Sequence, residues 1–311
     1  MSRCLEAAWG TWTRFWFEPV STSTLALVRV GFGLVLTGWT LSLAADLRPF
    51  FGPGGSLAAP PSAPWRWGLL QVANTDAAVV ASWTLLLVSA VAVTVGAGTR
   101  VAAVVAWVAV VSLQRRNPYV FNSGDVLVRQ LSFLIALAPA GAALSVDRFL
   151  RHRDRFLDHP RRAAWPVRLI QLNLAFGYVV SVSAKLSGET WTGGTAVGYV
   201  LRIGDLQRFA VPDLLLDLPV VVTLLTWGAL ATELAVAVLV WNRRLRPAVL
   251  LLGVAMHVAI DLTIEVGFFS YAVLVSYLAF VPPDVADRAI AWVFDRSGRL
   301  ATSVRVVTNR T

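Results

Sequence analysis

A single cysteine, Cys4, in a chain of 311 residues excludes an internal disulfide and any metal cluster built on thiolates. Charge is scarce too: 14% of residues are charged, where a soluble domain carries about 25%. Strict alternation of apolar and polar residues is missing, which argues against a transmembrane β-barrel. Lysine is nearly absent. Of the 27 basic residues one is lysine, Lys185, and the rest are arginine. Such a bias can reflect base composition alone, but it singles out the one position that keeps an amine.

What fills the chain is apolar: 57% of residues, with a mean hydropathy of +0.66, arranged in long runs. The soluble, disordered, fibrous and disulfide-stapled classes are excluded together. The net charge of +9 sits in short loops between those runs. That placement reads as membrane orientation and not as a nucleic-acid footprint.

A membrane-spanning helix needs about 20 mostly apolar residues. Eight runs qualify as candidates: Leu25–Ala45, Ala77–Val95, Arg100–Leu113, Val126–Val146, Trp165–Leu186, Leu218–Trp241, Pro247–Ile264 and Phe268–Val281, the third and last being short. The expected fold is all-α, a polytopic helical bundle of about eight transmembrane helices. Residues 1–23 hold Trp9, Trp12, Phe15, Trp16 and Phe17 with charges between them, the pattern of an interfacial helix and not of a cleavable signal. Residues 24–283 form the membrane domain. Residues 284–311 form a polar tail with an apolar stripe of Ile290, Trp292, Val293 and Phe294. With the N-terminus inside, 18 arginines fall on the inner side and six (Arg48, Arg66, Arg115, Arg116, Arg202 and Arg208) on the outer. This asymmetry predicts both termini in the cytoplasm and an even number of spans.

Charged groups in hydrocarbon are costly and usually face a cavity or a partner. Lys185 lies about 30 Å along its helix from Trp165, near the outer boundary. It reads either as a snorkelling residue that ends a helix or as a desolvated amine able to act as a base, which arginine cannot do. His257, Asp261 and Glu265 repeat at every fourth residue and share one helix face. They form either a buried face on which His257 and Asp261 satisfy each other or one wall of a polar cavity. The stripe supplies too few ligands for a metal site. Asp125 and Arg129 are spaced for an intrahelical ion pair. Arg115 and Arg116, followed by Asn117, break the inside-positive trend, so either an anionic substrate group or outer lipid headgroups would hold them. Glu233, within the sixth run, is expected either to be protonated or to pair with Arg29. Most of these residues, with Glu189, belong to the outer half, which favours a site on that side over a path through the membrane.

Several segments resemble a known family. Arg14-Phe15-Trp16-Phe17-Glu18-Pro19-Val20, followed by Leu27-Val28-Arg29-Val30-Gly31-Phe32-Gly33-Leu34, resembles the opening of the HTTM family, bacterial membrane proteins related to vitamin K-dependent γ-carboxylase. Arg116-Asn117-Pro118-Tyr119-Val120-Phe121-Asn122-Ser123-Gly124-Asp125 is similar to that family's loop before the fourth helix. Ser183-Ala184-Lys185-Leu186 with Trp191-Thr192-Gly193-Gly194 resembles its catalytic-lysine segment. His257, then Gly267-Phe268-Phe269-Ser270-Tyr271 and Phe280-Val281-Pro282-Pro283, resembles its last two helices.

The resemblance implies a chemistry. A lysine deprotonates a reduced quinone (vitamin K or menaquinol), O2 turns the quinol into a strong base, and CO2 adds to a deprotonated glutamate as the quinol leaves as epoxide. Lys185 matches the base. Arg115, Arg116, Asn117 and Arg129 would bind or orient the quinol or an anionic substrate, and His257 and Tyr271 would line the pocket. Arg29, Asp125, Glu233 and Asp261 would support it. The implied setting is the lipid bilayer of the bacterial cytoplasmic membrane, with a secreted peptide or protein as substrate. Two departures stand out. Pro118 follows Asn117 where the carboxylase has a histidine, and the chain stops soon after the last helix, without the carboxylase's large external domain. A non-catalytic factor for maturation or export of a secreted peptide is the alternative. A transporter fits least, because no inverted repeat or matched pair of broken helices is visible.

Overall fold

The computed structural model describes residues 2–62 and 67–308, with side chains from 5 to 62 and from 67 to 295. Arg66 and Arg310, part of the charge asymmetry, lie outside the described residues, as do the side chains of Arg3, Arg296, Arg299 and Arg305. Among the described residues, ten helices of ten residues or more follow in order. They are α1 (Ser2–Phe17), α2 (Ser23–Ser42), α3 (Asp76–Val95), α4 (Thr99–Arg116), α5 (Ser123–Leu137), α6 (Trp165–Leu186), α7 (Pro219–Leu239), α8 (Arg246–Thr263), α9 (Phe269–Leu278) and α10 (Pro283–Thr308). The only sheet among them is two short antiparallel strands, β1 (Pro19–Ser21) and β2 (Arg161–Ala163), with Val20 opposite Arg162.

The fold is all-α, and the protein is a multi-pass membrane protein. Five of the described helices, α2, α3, α6, α7 and α8, are long and apolar enough to cross a bilayer, and the bent pair α9 and α10 makes six if it counts as one span. The sequence expectation was eight, and each lost span has a physical reason. In α4 the apolar stretch is bounded by Arg100 and by Arg115 and Arg116, which leaves it at about 20 Å. In the fourth run the helix stops at Leu137, two residues before Pro139, which has no N–H to continue it. α9 has 10 residues, about 15 Å, too short to cross a bilayer by itself.

The chain divides into two compact units. Unit 1 comprises residues 1–116, 132–168 and 281–311. Within it α2 packs on α3 and α3 on α4. Small residues permit this approach, which in lipid replaces the hydrophobic drive between helices. At Gly33 an added Cβ would lie 2.6 Å from the Thr94 Cα. Thr75 caps the start of α3 by accepting the Ala78 N–H, and Gly96, at φ +73°, ends it with the N–H groups of Gly96 and Ala97 turned back to the Ala92 carbonyl.

Arg29 on α2 is fully buried in this unit. Its guanidinium donates to the carbonyls of Ala140 (3.3 Å), Ala143 (3.2 Å) and Leu144 (2.5 Å), in the loop that follows α5. The expected pairing of Arg29 with Glu233 is therefore replaced: the arginine satisfies orphan carbonyls, and the glutamate takes a different cation. Arg116 is likewise fully buried and donates to the carbonyls of Gly52 (3.0 Å) and Leu57 (2.7 Å). Arg115 donates to the Trp67 carbonyl (2.8 Å) and lies over its ring. α1 leaves Leu5, Trp9, Trp12 and Phe17 exposed, and α10 exposes Trp292, Val293 and Phe294.

Asp147 caps the start of α4 in unit 1. Its carboxylate accepts the N–H groups of Gly98 (2.7 Å) and Thr99 (2.8 Å) and the Thr99 hydroxyl (2.7 Å), at the positive start of α4. Partial burial alone would raise its pKa, but these hydrogen bonds outweigh it and hold the carboxyl below its ordinary value. A depressed carboxyl stabilises the fold above its unfolded value, and that contribution is lost as pH falls through the folded value. Asp147→Asn should therefore cost up to about 1 kcal/mol at pH 7, the worth of a negative charge at a helix N-terminus. The gap in melting temperature between variant and wild type should close as the pH drops below the ordinary carboxylate range. An equal gap at both pH values would show that the charge is not what matters.

Unit 2 comprises residues 117–131 and 169–280. α7 packs on α8 and α8 on α9. Its core joins Leu174, Val236, Val240, Val249, Val273 and Phe280 around two tyrosines, Tyr178 and Tyr277.

Candidate functional site

The candidate site lies in unit 2 and begins on α6. Tyr178 and Lys185 are seven residues apart, two helical turns, and so share a face. The Lys185 amine at the end of α6 forms an ion pair with the Glu233 carboxylate on α7. The glutamate side chain is 8% exposed and the lysine side chain 23%. The Trp191 ring, from a short helix that follows α6, lies 4.8 Å from the amine. A cation over an indole face is stabilised by the ring quadrupole. Lys185 is thus held on one side by a carboxylate and on another by a ring, a tighter environment than a snorkelling residue needs.

Two turns back along the same face, the buried Tyr178 hydroxyl meets His257 Nε2 at 2.8 Å and the Tyr277 hydroxyl at 2.5 Å. This network ties α6 to α8 and α9. It requires Gly253 on α8, since a Cβ there would come within 2.9 Å of the Tyr277 ring. The expectation that His257 and Asp261 satisfy each other is corrected. His257 turns to Tyr178, while Asp261 accepts from the Tyr271 hydroxyl (2.7 Å) and pairs with Arg208 (3.6 Å). The four-residue spacing set both on one face, but each found a nearer partner on another segment.

A cavity of about 180 Å³ lies beside these groups. Glu233 and Tyr178 line it together with the apolar side chains of Leu127, Leu174, Phe269 and Val273. Ser123, Gln130, Asn173 and Ser181 add polar atoms to its wall. Glu233 Oε1 holds the amine, but Oε2 is buried with no hydrogen-bond partner among the described residues. His257 Nδ1 is in the same condition. An orphaned buried carboxylate oxygen is costly, and here it belongs to one of the residues that line the cavity.

The remaining sequence candidates divide between the units. Asp125 and Asn122 in unit 2 form a capping box at the start of α5: Asp125 accepts the Asn122 N–H (2.6 Å), and Asn122 accepts the Gly124 N–H (2.7 Å). Arg129 is half-buried one turn further along. Asn117 is buried and caps the turn Pro118–Val120 by accepting the Tyr119 N–H (3.3 Å). Tyr271 is 40% exposed at the start of α9. Glu189 and Glu265 are exposed. Arg29, Arg115 and Arg116 belong to unit 1 and spend donors on backbone carbonyls there. Sequence reading missed Tyr178, Tyr277 and the polar cavity wall. Tyr178 was findable, seven residues before the sole lysine. Tyr277 was not, because its role depends on a glycine on a different helix. Among the described residues no three His, Cys, Asp or Glu side chains converge as a metal ion would require.

A family model described as the HTTM domain matches residues 17–285, most of the chain. No curated protein and no solved structure matches it.

Proposed function

The chain belongs to the HTTM-domain family, and from that premise we propose that it is a quinol-dependent, carboxylase-like membrane enzyme with Lys185 as its general base. One observation carries the proposal. The only lysine in the chain is paired with a buried carboxylate that lines a ring-sized cavity.

The residues fit a reduced quinone. A cavity of about 150 Å³ takes a benzene ring, so the space here suits a ring of that order with its tail outside. Glu233 and Tyr178 offer polar side chains, and Leu127, Leu174, Phe269 and Val273 offer apolar walls. When bound, the quinol would supply electrons for O2 and, in carboxylation, the base that frees a glutamate γ-carbon for CO2. The chain's own residues manage the first proton. Transfer of the ammonium proton from Nζ to the adjacent Oε1 leaves a neutral amine, the form that accepts a proton from a hydroxyl. The Trp191 ring and the apolar walls keep water from competing. His257 and Tyr277 fix the Tyr178 hydroxyl, so that it meets a ligand in one orientation.

The arginine asymmetry supports a place in the bacterial cytoplasmic membrane, with both termini inside and Lys185 near the outer boundary, where a secreted peptide can reach it. A second reading, a non-catalytic maturation or export factor, is favoured by the pairing of Lys185 with Glu233, since an ion pair between α6 and α7 also serves as a structural tie.

The test follows quinone epoxide by mass spectrometry in membranes supplied with reduced menaquinone, O2, bicarbonate and a glutamate-containing peptide. Epoxide from the wild type and none from Lys185→Arg is expected. No epoxide from a folded, inserted wild type would overturn the catalytic reading in favour of the second.

A further inference from the structure

We propose that residues 146–162, between α5 and α6, dock with α1 on a bilayer surface through exposed arginines set among apolar side chains, and that this surface selects anionic phospholipid. The docking is independent of the quinol chemistry proposed above.

The segment lies at a membrane boundary. The β1–β2 ladder pairs the residues just before two membrane-spanning helices, α2 and α6. What flanks the ladder is therefore held near the level at which those helices leave the bilayer. Only Glu18 separates α1 from β1. Arg168 secures the end of α1: its guanidinium lies 4.8 Å from the Phe15 ring centroid and donates to the Phe15 carbonyl (3.3 Å).

Two kinds of side chain are exposed there. Leu5, Trp9 and Trp12 recur at four- and three-residue intervals, so they share one face of α1, and each is more than half exposed. On the other side of the ladder Phe149, Leu150 and Leu157 are exposed as well. Ring contacts of 5.9 Å, from Phe149 to Phe156 and from Phe156 to Phe294, join this segment to α10. Among the apolar groups stand Arg151, Arg153, Arg155, Arg161 and Arg162, all exposed, against two exposed carboxylates, Asp154 and Asp158. None of these arginines forms an ion pair with a carboxylate among the described residues.

The mixture selects the partner. Indole rings favour the headgroup level of a bilayer, where a polar edge stays wet and the ring body does not. Apolar side chains beside them enter the acyl boundary, and guanidinium groups bond phosphate oxygens in a planar fork. A second copy of the chain fits badly, because a two-fold contact sets the patch against itself and so arginine against arginine. An acidic soluble protein would meet the arginines but leave the tryptophans in water. Each arginine close to an anionic surface shifts the balance toward the docked state by about fivefold.

The test puts one fluorophore on the segment. In a Cys4→Ser background, Leu150→Cys gives a unique thiol for a nitrobenzoxadiazole probe. The full chain is then reconstituted into nanodiscs of phosphatidylcholine, alone or in equal mixture with phosphatidylglycerol, and a headgroup-spin-labelled lipid reports contact by quenching. Quenching should be at least about threefold stronger in the anionic discs, a modest share of what several arginines supply. The difference should shrink as salt rises from about 0.1 M to about 1 M, which shortens the screening length from about 10 Å to about 3 Å. Arg151→Gln, Arg153→Gln and Arg155→Gln together should remove most of it. Equal quenching in the two lipids overturns the proposal without need of the triple variant. So does a difference that outlasts either the salt or the triple substitution. A blue-shifted probe that the lipid quencher does not reach overturns it too, in favour of a protein or a second copy on this face.

Discussion

Lys185→Arg is expected to lower the rate of epoxide formation by roughly 10²–10⁴-fold, the usual worth of a general base, with the protein still folded and inserted. The substitution is chosen for what it keeps. A guanidinium carries the same charge, reaches a carboxylate with good geometry and stacks on an indole, so the contacts with Glu233 and Trp191 survive. What it cannot do is give up its proton. A purely structural lysine would tolerate the change, and initial rates per mole of inserted protein would then stay within a few-fold of wild type. The rate measurement, paired with a melting curve of the same preparation, separates loss of the base from loss of the fold.

Arg29→Met should be the most damaging single change to unit 1. Arg29 is fully buried, and its guanidinium supplies donors to three carbonyls of the loop after α5. Methionine fills much of the volume but donates nothing. Each orphaned buried acceptor costs about 1–3 kcal/mol, so a loss of about 3 kcal/mol is expected even if part of the loop rehydrates. Arg29→Lys should recover only a fraction, because one ammonium cannot reproduce the planar fork. Denaturant titration in detergent measures both. A methionine variant as stable as wild type would mean that those carbonyls find other donors.

Legibility from sequence varied with the kind of interaction. The long helices were readable because their stop signals are local. The bounds of α6 match the expected run Trp165–Leu186, and those of α2, α3, α7 and α8 agree within a few residues. The count of spans was over-read where an apolar run continued past a break, as at Pro139, or was too short between arginines, as in α4. Within the site, Lys185 stood out by composition, and His257 and Glu233 by their cost in hydrocarbon. Their partners were not legible. Lys185 and Glu233 are 48 residues apart and His257 and Tyr178 are 79 apart, so only the packing of whole helices brings each pair together. The family resemblance did not bear on this either: it rested on short motifs, while the pairings join residues of different motifs.

The solitary lysine also gives the protein a single reactive handle. Its ε-amine is the only one in the sequence, and the side chain is 23% exposed. An acylating reagent can therefore modify one side-chain amine, read as one mass increment on the peptide that carries it. Because the amine is paired and lies under Trp191, acylation should be slow in the wild type and faster in Glu233→Gln, where the ion pair is gone. The same increment, formed in intact cells by a reagent that cannot cross the bilayer, marks the face of the membrane on which the site opens. A quinol bound against Glu233 would protect it, so one covalent label reports topology, pairing and occupancy from the same atom.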